Sequence, residues 1–191
     1  MRLFELAGNN PRSKTAVFTF GRMNPPTIGH EVLVNKVKEV ANKNNADHFI
    51  FLSQTHKAPK DPLDWKTKAD IVKRAFPGSV VWEDPTVRTP FEALAGLGED
   101  YDNVIMVVGS DRVEKFRAGM APYLEEFNVQ NFEVVSAGER DPDAEGAAGM
   151  SASKARALAA GGDWENFQAS LPNTVSTTQK KKVYNQIRKN S

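Results

Sequence analysis

The chain of 191 residues contains no cysteine. Disulfides, thiol nucleophiles and cysteine-type zinc sites are therefore excluded, which fits a reducing compartment. An excess of charge of one sign is missing as well: 25 lysines and arginines face 24 aspartates and glutamates, for a formal net charge of +1. No overall field then points to nucleic acid or an anionic membrane as the main partner. No run approaches the ~20 apolar residues that span a bilayer. The opening Met1-Arg2-Leu3-Phe4-Glu5-Leu6-Ala7 has neither a long apolar centre nor a cleavage-site pattern, so it does not read as a signal peptide. These absences lead to the expectation of a cytoplasmic protein without a membrane partner. Internal repeats, low-complexity tracts and domain linkers are absent too.

What is present is an ordinary globular composition, 40% hydrophobic and 26% charged, long enough for one well-buried domain. Residues 1–14 read as an arm ending in the turn-forming Gly8-Asn9-Asn10-Pro11. Strand-like and helix-like patterns then alternate. Ala16-Val17-Phe18-Thr19-Phe20, Phe49-Ile50-Phe51-Leu52, Val80-Val81-Trp82, Val104-Ile105-Met106-Val107-Val108 and Phe132-Glu133-Val134-Val135 predict five strands. The fourth is apolar throughout and belongs in the middle of a parallel sheet.

Between the strands, helix starts are marked by caps. Asp61 with Pro62 predicts a helix over 62–76, and Thr89-Pro90-Phe91-Glu92 is a capping box with proline inside it. Further helices are expected from Ser151 to about Ala160, over 163–170 and over 178–189. The organisation that results is an arm over 1–14, one domain over 15–175 and a basic C-terminal helix over 176–191. The fold class is an open α/β, Rossmann-like parallel five-stranded sheet with helices on both faces. Such sheets bind ligands outside the carboxyl ends of their strands, where strand order reverses.

The stretch that organises the rest is Gly21-Arg22-Met23-Asn24-Pro25-Pro26-Thr27-Ile28-Gly29-His30, between the first strand and an apolar-periodic helix. A strand, a glycine-bearing turn and a helix N-terminus make a phosphate-binding arrangement. Gly21 and Gly29 allow close backbone approach, and Pro25-Pro26 stiffens the turn. Thr27 and His30 are three apart and face one side of the opening turn. On its own, a strand-turn-helix with one histidine reads equally well as a turn with no ligand.

GRMNPPTIGH resembles the GxFxPxHxGH signature of the nucleotidyltransferase superfamily, whose branches use nicotinamide mononucleotide, pantetheine phosphate or cytidine triphosphate chemistry. Gly21, Pro25, Gly29 and His30 match, and Thr27 stands for the first histidine, as in the pantetheine-phosphate branch. Arg22 is similar to the GRFQP opening of the archaeal nicotinamide-nucleotide branch. A second element, Met150-Ser151-Ala152-Ser153-Lys154-Ala155-Arg156, resembles the family's late ISSTxIR, with Ala152 and Ala155 departing from it. By itself Ser151 would read as a helix cap and Arg156 as a surface charge. The two elements occur in the family's order, about 120 residues apart. The whole is also similar to nucleotidyltransferase-like proteins of tailed phages, for which the compartment would be the host cytoplasm.

The resemblance implies an adenine nucleotide alpha-hydrolase-like fold. It also implies attack of an acceptor phosphate on the α-phosphorus of ATP or CTP, with loss of pyrophosphate and Mg²⁺ as cofactor. It assigns His30, Thr27 and Arg156 to catalysis. The nucleotide falls to Phe20, Gly21, Arg22, Met23, Asn24, Gly29, Gly109, Asp111, Ser151 and Ser153. Lys57, Lys60 and Lys66 follow the second strand, where the family's acceptor loop lies, and Arg88 follows the third; all four are acceptor candidates, though a loop cation is more often only solvated. Metal ligands are not readable. The implied partners are a nucleoside triphosphate and a phosphorylated small-molecule acceptor, and a homo-oligomer is within expectation. His48 is expected to end a strand at the surface, Trp82 to belong to the core or rim, and Trp65 and Trp164 to pack on helices. Lys180-Lys181-Lys182 is expected to be a solvated face.

Overall fold

The computed structural model describes residues 15–138 and 149–191; the N-terminal arm and most of the loop after the fifth strand lie outside them. The described residues divide into two compact units, one of 15–20, 33–51 and 79–138, the other of 21–32, 52–78 and 149–191.

The first unit holds a five-stranded sheet in the order β3-β2-β1-β4-β5. Its strands are β1 (Thr15–Gly21), β2 (Asp47–Leu52), β3 (Val80–Val81), β4 (Asn103–Val108) and β5 (Asn131–Ser136). β1 pairs with β4, β2 with β3 and β4 with β5, all parallel. The fold is thus the Rossmann-like parallel α/β sheet, and its strand order reverses between β1 and β4.

The period-two alternation of the strands distributes side chains to two faces. Ala16, Phe18, Val104, Met106 and Val134 pack with Ala93, Leu94 and Leu97 of α3 (Pro90–Gly98) and Met120 of α4 (Val113–Met120). Val17, Ile105 and Val107 pack with Val37, Val40 and Ala41 of α1 (Ile28–Asn44) on the other face. Helices therefore cover both faces, and β4 is buried from Val104 to Val108 because each of its sides meets a helix layer. Phe18, Phe49, Phe51, Trp82 and Tyr101 form an aromatic cluster with ring centroids 5.5 to 6.4 Å apart. Each ring so buried contributes about 1.5–3 kcal/mol relative to exposure. His48 lies within β2 and is half-buried, rather than ending the strand at the surface.

The capping box reads true: Thr89 Oγ1 accepts from the Glu92 N–H at 3.2 Å, and Glu92 Oε2 accepts from the Thr89 N–H at 2.7 Å. The Asp61 cap does not. α2 runs Trp65–Ala75 and is capped by Asp64, whose Oδ1 accepts from the Thr67 N–H at 3.0 Å. Asp61 is instead tied to Lys57 by reciprocal main-chain bonds of 2.7 and 3.0 Å. That antiparallel bridge holds the backbone extended just where the helix was expected to begin.

The second unit carries α2, α5 (Ala152–Ala160), α6 (Trp164–Ser170) and α7 (Thr177–Lys189), capped in turn by Asp64, Ser151, Asp163 and Ser176. Trp164, Phe167 and Tyr184 join α6 to α7. The run of three lysines is not one solvated face. Lys180 is buried and donates to the Gln168 and Leu171 carbonyls at 2.8 and 3.0 Å, Lys181 lies 4.2 Å over the Trp164 ring, and Lys182 is exposed. Among the described residues no helix is long and apolar enough to cross a membrane.

Gly98 was not singled out by its sequence context, yet a Cβ there would lie 1.8 Å from the Phe127 carbonyl oxygen. Overpacking against fixed backbone costs about 3 kcal/mol or more when nothing flexible can yield. Gly98→Ala is expected to lower the unfolding free energy, measured by urea titration, by about 3 kcal/mol, whereas Gly96→Ala, with open space around it, should be neutral or mildly stabilising as a helical glycine replaced by alanine.

Candidate functional site

The last residue of β1, Gly21, opens a segment that folds with the second unit. Its carbonyl accepts from the Ser53 N–H at 3.0 Å. A Cβ at Gly21 would come no nearer than 3.7 Å to Met23, so the protein's own packing does not demand glycine there. Met23 takes a positive φ of 41° and is 1% exposed. Asn24 is fully buried, and its side-chain amide clasps the main chain of Leu63, donating to its carbonyl and accepting from its N–H at 3.1 Å each. The Asn24 side chain is thus used to hold the turn.

Helix α1 starts directly after Thr27, whose carbonyl accepts from the N–H groups of His30 and Glu31 at 2.9 and 3.2 Å. In return, the Thr27 N–H donates to His30 Nδ1 at 3.1 Å. A main-chain N–H cannot give up its proton, so Nδ1 must be the unprotonated nitrogen, and the neutral ring carries its proton on Nε2. The Thr27 hydroxyl, 2.9 Å from Nδ1, donates its proton to the Met150 carbonyl at 3.1 Å.

The second motif closes on the first. Ser151 caps α5 by accepting from the Lys154 N–H at 3.1 Å. Arg156 Nη1 donates to the Asn24 carbonyl at 2.7 Å and Nη2 to Ser153 Oγ at 3.0 Å. Thr27, His30, Asn24, Met150, Ser153 and Arg156 are therefore one connected group, built from segments more than 120 positions apart. Beside it runs a groove of about 640 Å³ lined by Ile28, Met150, Lys154, Ala157, Leu158 and Asn166 among others.

Positive charge prevails here. Lys68 is fully buried and donates to the Ser53 and Thr55 carbonyls, the latter at 3.2 Å. Burial lowers its ammonium to a pKa of about 8, with Asp61 and Asp64 opposing the shift and Arg22 adding to it. Burial also pushes the Arg156 guanidinium below its ordinary value, again with Asp61 opposing and Arg22 adding. Arg22 Nη1 lies 3.9 Å from Asp61 Oδ1. Arg22, Lys68 and Arg156 thus lie within electrostatic reach of one another and of one buried carboxylate, a balance that favours an incoming anion.

The remaining sequence candidates are placed as follows. Lys57, Lys60 and Lys66 are exposed residues of the second unit. Arg88 is exposed in the sheet unit, where its N–H donates to Glu92. Phe20 packs on the sheet core. Gly109, at the end of β4, would place a Cβ 2.7 Å from the Asp111 carboxylate, so this turn does favour glycine. Gly29 lies in the first turn of α1. Lys68 was overlooked in favour of Lys66. The signal was available: 68, 71, 72 and 75 share one helical stripe, which places Lys68 with Ile71, Val72 and Ala75.

Among the described residues no three His, Asp or Glu side chains come together, and Asp61 sits among cations.

The Lys68 burial has a measurable sign. Between pH 8 and 10.5 the unfolded chain still holds the proton that the folded chain has released. Stability from this group therefore rises with pH across that window. Urea unfolding measured at intervals through it should show this slope in the native chain and its loss in Lys68→Met.

No family model matches the chain, and no curated protein sequence matches it. Among solved structures it is similar to Thermotoga maritima TmcAL bound with alpha-thio ATP, at a TM-score of 0.53 and 16% identity. The match covers 93% of this chain and 56% of that one, so this chain spans little more than half the length of that protein. At this identity the likeness carries the α/β fold alone.

Proposed function

We propose that the chain transfers a nucleoside monophosphate from a nucleoside triphosphate to a phosphorylated small-molecule acceptor. Adenylyl transfer to nicotinamide mononucleotide is the first reading, from Arg22 in GRMNP; cytidylyl transfer and adenylyl transfer to pantetheine phosphate are the alternatives. The observation that carries the proposal is the pair of bonds from Thr27 to Met150 and from Arg156 to Asn24, which tie the His30 motif to the Ser-Arg motif. The structural likeness to a protein solved with alpha-thio ATP lends support to a nucleotide ligand.

In this reaction an acceptor phosphate oxygen forms a bond to the α-phosphorus, and the bond from that phosphorus to the bridging oxygen breaks. The electron pair leaves with pyrophosphate. The acceptor phosphate is already ionised, so no general base is needed; the work is positioning and stabilising negative charge. His30 suits it, since Nδ1 is committed to Thr27 and the Nε2–H is the donor directed at the α-phosphate. Arg156 and Ser153 serve the β- and γ-phosphates, and the resemblance assigns Gly109 and Asp111 to the nucleoside. Mg²⁺ would enter as the counter-ion of the triphosphate rather than on a protein cage.

Pyrophosphate release, screened with ATP, CTP, GTP and UTP against phosphorylated acceptors, should be seen for ATP with nicotinamide mononucleotide. His30→Ala should slow it by about a hundredfold or more, as loss of one charge-stabilising donor does, without changing the circular dichroism. Pyrophosphate from no pair of substrates, or an unchanged rate in His30→Ala, would leave a nucleotide-binding module instead of an enzyme.

A further inference from the structure

Helix α7 holds five of the chain's 25 lysines and arginines and none of its 24 aspartates and glutamates. The near-neutral total therefore hides an uneven distribution: the rest of the chain is net acidic, and this one helix is strongly basic. Lys180 turns inward to the Gln168 and Leu171 carbonyls. The other four cations, Lys181, Lys182, Arg188 and Lys189, are exposed. At 3.6 residues per turn these four and the exposed Asn185 fall within about 120° of arc, along about 12 Å of axis. Val183, Tyr184 and Ile187 occupy the buried side.

This stripe keeps its charge. Among the described residues no carboxylate forms an ion pair with any of its four cations. Aromatic rings hold two of them instead: Lys181 Nζ lies 4.2 Å over the Trp164 ring and 4.8 Å over that of Tyr184, and the Arg188 guanidinium 5.6 Å over Tyr184. A ring face fixes a cation in place and leaves its charge uncancelled. Lysine, arginine and asparagine are all donors that contact phosphate oxygens, and the carboxylates that would repel a phosphate are missing. We propose that this face of α7 binds the phosphate backbone of a nucleic-acid duplex without reading its bases. A duplex carries one negative charge for about 1.7 Å of axis, so a rigid stripe of about 12 Å faces several phosphates together. A single strand fits less well, because such strands are held by bases stacked on aromatic rings; here Trp164 lies under Lys181, and Tyr184 is buried. A membrane fits less well too, because a helix at a lipid surface inserts its apolar face. That face of α7 is already spent, with Tyr184 packed on Trp164 and Phe167. Nothing in this surface depends on nucleotidyl transfer.

The test is binding of the full chain to a fluorescein-labelled DNA duplex of mixed sequence, followed by anisotropy without nucleoside triphosphate. Between 50 and 200 mM NaCl the affinity should fall about a hundredfold, a slope near −3.6 in log K against log salt from four phosphates at about 0.9 each. Lys182→Gln with Lys189→Gln removes two exposed charges and neither ring contact. It should halve the slope, so that the same salt range costs about tenfold. Lys43→Gln with Lys115→Gln removes as much charge from exposed positions outside α7 and should leave the slope as it was. Absence of duplex binding at the low-salt end, an unchanged slope in the α7 variant, or an equal loss of slope in both double variants would overturn the proposal. So would tighter binding to the unpaired strand, or to equimolar phosphatidylserine–phosphatidylcholine vesicles, than to the duplex. Because no transfer is measured, failure of the pyrophosphate screen leaves this outcome untouched.

Discussion

A single buried hydroxyl proton joins the two halves of the candidate site. Thr27 is fully buried and has one proton to donate, and the main-chain N–H beside it has already claimed His30 Nδ1. The hydroxyl proton is therefore directed to the Met150 carbonyl, which stands immediately before the Ser151 cap of α5. The same residue thus sets the imidazole tautomer and the position of the second motif. Threonine, where the signature it resembles has histidine, is consistent with this double duty, because its main-chain N–H donates to the ring nitrogen while its hydroxyl donates to the carbonyl.

Around that link the unit gathers cations. Lys68 is satisfied by carbonyls, Arg156 by a carbonyl and a hydroxyl, and among the described residues Asp61 brings formal negative charge to bear on both. Carbonyl partners orient a cation without cancelling it. The cost of holding such a group is offset when a polyanion arrives, which is the ordinary logic of phosphate sites.

Much of the fold was legible because it rests on local pattern. The apolar runs of β1 and β4 announced strands of a parallel sheet, β4 apolar on both faces, and Thr89-Pro90-Phe91-Glu92 announced its helix. The position of α2 was misread because Asp61 and Asp64 both satisfy a cap pattern. The choice between them was made by the Lys57 bridge and by Asn24, which holds Leu63 from 39 positions away. In the candidate site, the pairing of Thr27 with His30 was readable from their spacing. The burial of Lys68 could have been read from its helical stripe, whereas the use of the Asn24 amide inside the turn could not.

By itself the sequence determined the α/β order, the caps at Thr89 and Ser151 and the residue types available for phosphate chemistry, since these depend on neighbours a few positions away. Only the tertiary structure decided which nitrogen of His30 carries the proton, which lysine is buried, and that Asp61 is a sealed carboxylate among cations instead of a helix cap. The His30 outcome rests on the Thr27 N–H, the lysine on the Ser53 and Thr55 carbonyls 15 and 13 positions away, and the cap on Asn24, which holds Leu63 from 39 positions away. Desolvation and hydrogen-bond competition, which settle them, act on whatever the folded chain brings within a few ångströms.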